Sequence, residues 1–276
     1  LIAHFTCNAV FGRELQLGRC RLVLDDHPCP DARVSFFLFT RANPIEGQQV
    51  EIGLRGKNSI SLSHYNSSRP SKILIHGYNG HKYLDLLMDI KTEYLLEGDY
   101  NVLTVDWRSL SARPCYPLAA INTKHAGKCV AHFIRQLLML TTDQIHLIGF
   151  SLGAHVAASA AMHLRPIKVA RITDPMSCDH HRSLMYFAES IRSVAGFWGW
   201  PCSNMAAYLQ FRCPPRGAPC LMGANTPNTS RGFCLVYTAE SPPYALGRWT
   251  SNNTRWNNRI LPEKWNPKQI DSNLIV

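Results

Sequence analysis

A largely parallel β-sheet covered by helices on both faces is the fold class this sequence predicts, on three observations. Short apolar runs alternate with longer segments of helical periodicity. The runs are rich in β-branched and aromatic residues, as buried strands are. With 276 residues and 46% hydrophobic composition, the chain is large enough for one well-packed α/β domain and short for two.

The elements follow in order. Residues 34–41 (VSFFLFTR), 72–76 (KILIH), 101–107 (NVLTVDW), 144–150 (QIHLIGF) and 169–173 (VARIT) read as strands. Residues 83–96, 119–140 and 152–164 lie between them and carry apolar positions at three- and four-residue spacing, the stripe of an amphipathic helix. Strands separated by helices pair in parallel, and helices then cover both sheet faces. After about Ile191 the chain is richer in Gly, Pro and Cys and reads as loops, with a late strand near 233–238. The expected organisation is one domain over 1–249 and a poorly structured tail over 250–276.

Ten cysteines, none spaced C-x-x-C, exclude the usual zinc-ribbon and thioredoxin signatures and favour an oxidising compartment. Three sequons point the same way: Asn66-Ser67-Ser68, Asn228-Thr229-Ser230 and Asn252-Asn253-Thr254. A secreted protein is therefore expected; the chain begins at Leu1 rather than Met, so any signal peptide has been removed or was never included. No run of ~18 apolar residues occurs, so no transmembrane helix is expected. The net charge of +10 comes from scattered residues rather than from a basic arm, which excludes nucleic acid as a serious partner. It is compatible with contact at an anionic lipid surface.

Gly149-Phe150-Ser151-Leu152-Gly153 matches G-x-S-x-G. By composition alone such a match arises on the order of 0.1 times in a chain this long. Its setting, after a strand and before the alanine-rich segment AHVAASAAM, is that of a nucleophile elbow. Glycines on either side permit a tight turn, and the helix N-terminus favours a developing oxyanion. Ser151 then needs a base and an acid, in the chain order Ser, acid, His. Downstream, His155 and His163 fall on the helix behind Ser151 and read as structural, leaving His180 and His181. Between Ser151 and His180 the acids are Asp174 and Asp179; Asp174 follows a predicted strand, whereas Asp179 adjoins the histidine directly. Upstream, His76-Gly77-Tyr78-Asn79-Gly80 ends a strand, and its backbone N–H groups, with that of Leu152, are candidates for an oxyanion hole. Nothing supports a metal or cofactor site.

FFLFTRANP, ILIHGYNG, VLTVDW, CYPLAAINTKHAGKCVAHFI, GFSLGAHVA, CDHHRSLMYFAES, GFWGWPC and SPPYALGRW, spread over residues 30–250, resemble the animal lipase family that includes pancreatic lipase. The likeness is strongest to its insect phospholipase A1-like branch. The resemblance implies an α/β-hydrolase fold and a secreted carboxylic ester hydrolase acting on glycerolipids or phospholipids. Position by position it makes Ser151 the nucleophile and His180 the base, and gives the oxyanion N–H groups to Tyr78 and Leu152. It also implies a pairing of Cys115 with Cys129.

One departure is large. The family carries several dozen residues between its acid and its histidine, including the lid, whereas Asp174 and His180 here are six positions apart. Six residues reach up to about 20 Å, so an Asp–His pair is sterically permitted. What the gap removes is the framework that aims the imidazole. A lipase-fold protein that binds lipid with impaired or no catalysis is the alternative expectation. The chain also ends before any β-sandwich domain of the pancreatic type, which tilts the reading towards phospholipase A1.

Overall fold

The computed structural model describes residues 14–24, 26–54, 57–139, 144–175, 181–210, 213, 217–248 and 274–275. The chain divides into two compact units, Leu1–Asp174 and Pro175–Val276.

The first unit contains strands β1 (Glu14–Leu17), β2 (Cys20–Val23), β3 (Ser35–Phe39), β4 (Gln48–Val50), β5 (Ile52–Leu54), β6 (Lys57–Asn58), β7 (Ser71–Ile75), β8 (Asn101–Asp106), β9 (Ile145–Gly149) and β10 (Arg171–Thr173). Its helices are α1 (Asp85–Glu97), α2 (Arg108–Ser111), α3 (Tyr116–Leu138) and α4 (Leu152–Leu164). Six strands form the central sheet in the order β10-β9-β7-β8-β3-β4. The four from β10 to β8 run parallel, while β3 and β4 close one side antiparallel. All five strands and all three helices expected in this unit are present, with ends shifted by a few residues.

Alternation along the strands decides which helix covers which face. Ile73, Ile75, Leu103, Val105 and Leu147 pack with α3 and α4 in one continuous core. On the opposite face, Lys72 lies over the Tyr94 ring of α1 and the neighbouring Tyr100, and Lys91 of α1 lies over Phe39. The sheet is thus covered on both sides and has the mostly parallel, mixed order of an α/β-hydrolase.

The face of this sheet that α1 covers carries an acid-sensitive group among its buried apolar side chains. Lys72, His146 and Arg171 occupy one rung across β7, β9 and β10. Burial, with repulsion from Lys72 and Arg171, pushes the His146 imidazole down to about 2; the Thr173 hydroxyl lies 2.7 Å from its Nε2. Unfolded histidine takes up a proton near pH 6.5, whereas the folded one stays neutral until far lower pH. Stability is therefore full above 6.5 and falls as pH drops below it. Between pH 7 and pH 5 we expect a loss of about 2 kcal/mol, read as a lower urea midpoint. His146→Gln, which keeps a partner for Thr173, should flatten that slope; an unchanged slope would assign the acid sensitivity elsewhere.

Two disulfides in this unit, Cys20–Cys115 and Cys29–Cys129, correct the expected Cys115–Cys129 pairing. Cys115 caps the N-terminus of α3 and Cys129 lies inside the same unbroken helix. Fourteen residues of helix separate the two by ~21 Å, whereas a disulfide needs Cα atoms within about 7 Å.

The second unit packs helix α5 (Arg182–Arg192) with an antiparallel sheet in the order β12-β11-β13-β14, built from β11 (Phe197–Cys202), β12 (Cys220–Met222), β13 (Phe233–Tyr237) and β14 (Leu274–Ile275). A short α6 (Met205–Leu209) follows β11. Tyr186 of α5 packs on Phe197 and Tyr244, and the Glu189 carboxylate accepts the backbone N–H groups of Tyr244 and Ala245, each at 2.7 Å. Cys202–Cys213 and Cys220–Cys234 staple the sheet. The late strand is present as β13, but the stretch expected to be loop also holds β11, α6 and β12. The expected tail lies outside the described residues except for β14.

Candidate active site

Strand β9 ends at Gly149, α4 begins at Leu152, and the chain turns between them at Ser151 with φ 57° and ψ −124°. A non-glycine residue at positive φ is strained, and such strain collects at functional turns. The surroundings over-determine it. Phe150 N–H donates to the Ile75 carbonyl (2.9 Å), tying the turn to β7, and Gly153 N–H donates back to Phe150 O (2.8 Å). Close packing dictates the two flanking glycines: a Cβ at 149 would lie 2.3 Å from Gly153 O, and one at 153 would lie 2.2 Å from Ile75 O. Phe150 and Leu152 are buried while Ser151 reaches partly into solvent. The hydroxyl is thus presented between two residues that anchor the turn.

The loop after β7 closes over this serine. A Cβ on Gly77 would lie 2.7 Å from Ser151 Cβ and 3.3 Å from its Oγ, so only a bare backbone fits there. The loop is held from below by His76, which is fully buried. Its Nε2 accepts the Trp107 backbone N–H (3.2 Å), its Nδ1 lies 2.8 Å from Gly77 O, and its carbonyl accepts Trp107 Nε1–H (2.8 Å). The tautomer with hydrogen on Nδ1 satisfies all three contacts. Beneath it, burial raises the Asp106 carboxyl, but hydrogen bonds from the Arg108 guanidinium and backbone N–H outweigh that and hold it well below the usual carboxylate range. At the outer end, Asn79 adopts φ 56° and its N–H donates to Ser111 O at 2.8 Å. The Tyr78 ring stands edge-on to Tyr116 at 5.0 Å. Among the described residues, neither the Tyr78 N–H nor the Leu152 N–H has a hydrogen-bond acceptor.

These supports were only partly visible in sequence. His76 and Asn79 stand in the loop motif, but their roles as buried strut and positive-φ corner emerge only from the structure. Asparagine's tolerance of the left-handed region was the available signal for the second.

Asp174 follows β10 directly. The parallel register pairs Thr173 with Ile148, which puts Asp174 at the C-terminal end of the strand beside the one that feeds the elbow. It is exposed. His180, Cys178 and Asp179 lie outside the described residues. His181 caps the N-terminus of α5. His163 bonds locally through Nδ1 to Ser159 O (2.9 Å) on α4, a structural role; His155 is exposed on the same helix.

His27, Asp31 and His125 gather potential metal-ligating atoms within 4.8 Å of one another. The Arg33 guanidinium already holds the Asp31 carboxylate through three bonds of 2.6–3.0 Å, and His125 Nε2 adds another at 2.8 Å. A cation therefore occupies that position, and the cluster fastens the segment around Cys29 to α3.

The Lipase family model matches residues 19–176 and 174–231, two pieces that meet where the acid-to-histidine segment is short. Pancreatic lipase-related protein 2 of Cavia porcellus is 25% identical, with 87% of this chain and 70% of the relative covered. That alignment runs over 313 positions, more than the 276 residues of this chain, so the relative carries segments missing here. Phospholipase A1 member A of Bos taurus is 33% identical over 55% of this chain and 33% of its own length. Lipoprotein lipase of Neovison vison is 38% identical over 42% of this chain and 25% of its own length. With the family match running over most of both units and an elbow at its centre, the chain belongs to the animal, pancreatic-type lipase family.

Proposed function

We propose that this chain hydrolyses a carboxylic ester of a lipid, phospholipid or triacylglycerol, through an acyl-Ser151 intermediate. The observation that carries the reading is the strained turn at Ser151 with the bare backbone of Gly77 against it. In the first half-reaction Ser151 Oγ attacks the ester carbonyl as its proton passes to His180, and the alcohol departs with that proton. Water then attacks the acyl-serine by the same route and releases the fatty acid. The negative charge on the former carbonyl oxygen is met by the Tyr78 and Leu152 N–H groups and by the N-terminus of α4. Asp174 orients the His180 ring. The reaction as proposed calls on no metal or cofactor.

The reading places both units in one lipase domain and the protein outside the cell. Four disulfides among the described residues support an oxidising surrounding. No helix among the described residues is long and apolar enough to cross a membrane. Asn66 has its backbone tied to Asn101, while Asn228 lies in a fully exposed turn; either side chain can carry a glycan.

The short acid-to-histidine segment favours one second reading, a lipid-binding protein on the same scaffold without turnover. A fluorophosphonate probe separates the two. Labelling of wild type, none of Ser151→Ala or His180→Ala, and retained labelling of His181→Ala are expected. Equal labelling of wild type and Ser151→Ala, or none of either, sinks the hydrolase. Loss with His181→Ala alone moves the base by one residue.

A further inference from the structure

The β1–β2 hairpin is amphipathic in the opposite sense to its packing. In its antiparallel register Leu17 faces Cys20 and Leu15 faces Leu22, so these four side chains share one face. The other face carries Glu14, Gln16, Arg21 and Val23, and it is Val23 that enters the core. The leucine face turns aside to Cys115, through the Cys20–Cys115 disulfide, at the foot of α3. Leu17 is 47% exposed, Leu24 just beyond the hairpin is 48% exposed, and Tyr116 beside Cys115 is 53% exposed. Basic groups frame this apolar surface: Arg19 in the hairpin turn and Arg113 before α3 are exposed, and among the described residues neither meets a carboxylate. The one acid of the hairpin, Glu14, is neutralised by Arg33, His27 and Arg21. The surface adjoins the serine's loop, since Tyr116 packs on Tyr78 and Arg113 N–H reaches Asn79 Oδ1 at 3.4 Å.

We infer that this leucine-and-arginine surface, centred on Leu17, Arg19, Leu24, Arg113 and Tyr116, seats the protein on anionic phospholipid aggregates. Half-buried leucines gain by entering the acyl boundary, and unpaired arginines gain from headgroup phosphate and carboxylate. Charge complementarity selects the partner: an unfilled apolar face alone would suit a second copy equally, but two like-charged arginine rims would repel across such a dimer. The inference deepens the lipid-ester reading by naming where the substrate aggregate lies relative to Ser151, and its test is read without turnover.

Full-length Ser151→Ala protein is sedimented with phosphatidylcholine vesicles and with vesicles containing phosphatidylserine. Stronger binding to the anionic vesicles is expected, weakening as salt is raised. In that background, Leu17→Asp with Leu24→Asp, and separately Arg19→Glu with Arg113→Glu, should each weaken binding by about tenfold or more. Ile45→Asp with Leu62→Asp, at exposed apolar positions elsewhere in the unit, should leave it within about twofold. Circular dichroism and melting check that each variant folds, and the arginine pair carries the test if the leucine pair does not. Equal binding by the surface variants, equal losses in the control pair, or a wild-type dimer that the leucine variants dissolve would each overturn the inference. Probe labelling of wild type without vesicle binding would remove this surface and keep the hydrolase; binding without labelling would do the reverse.

Discussion

Ester turnover should fall by about 10⁴- to 10⁶-fold in Ser151→Ala and Ser151→Gly alike, while glycine leaves the fold more stable than alanine by ~1 kcal/mol. The two halves of this result have one cause. Without its hydroxyl the site keeps only the oxyanion donors and substrate binding, which sustain a small residue of catalysis. The backbone at 151 sits at φ 57° and ψ −124°, a conformation that any side chain strains and glycine adopts freely. Steady-state hydrolysis of a short-chain p-nitrophenyl ester gives the first quantity and thermal melting of the purified variants gives the second. Turnover within about tenfold of wild type in either variant would remove Ser151 as nucleophile. Equal melting temperatures for the two would show that the turn stores no strain.

The largest loss of stability is expected from Gly153→Ala. Its methyl group would stand 2.2 Å from Ile75 O and 2.7 Å from His76 O, both backbone atoms of the central strand β7 and its exit loop. Neither can yield without pulling α4 off the sheet. We expect a cost above about 4 kcal/mol, a large share of the ~5–15 kcal/mol that holds an ordinary domain together. The variant should accumulate as insoluble protein or melt far below wild type. Gly18→Ala is the matched comparison. Gly18 has φ 61° but nothing within 4 Å of a new Cβ, so only the conformational cost of ~1 kcal/mol applies. Similar melting for the two variants would mean that helix and strand are not packed as tightly as described.

The central sheet and its helices were legible because each is long enough for its period to show. Runs such as KILIH and QIHLIGF are bounded, apolar and β-branched, and the register of β7, β8 and β9 follows once they lie in parallel. The elbow was legible because two glycines and a serine stand between a strand and a helix. The hairpin 14–23 escaped because ELQL and CRLV are short and put their leucines on the outside, against the usual pattern. Strand β11, FWGWPC, escaped because Gly and Pro normally punctuate loops, whereas here Gly199 fits closely against Leu235 O of β13. Helix α5 carries its signal in Leu184, Phe187, Ala188 and Ile191 at helical spacing, but its 11 residues show that period only briefly. Cysteine pairing was unreadable for a different reason: both partners in the first unit lie about a hundred positions away, and spacing says nothing about contacts at that range.

That long reach has a consequence for how the chain is made. Cys20 and Cys29 leave the ribosome 95 and 100 residues ahead of Cys115 and Cys129. At synthesis rates of ~5–20 residues per second, they wait roughly 5–20 s as neighbouring thiols with no native partner in reach. Wherever the nascent chain meets an oxidant early, the two can join each other first, and an isomerase must then undo that bond before α3 can receive its anchors.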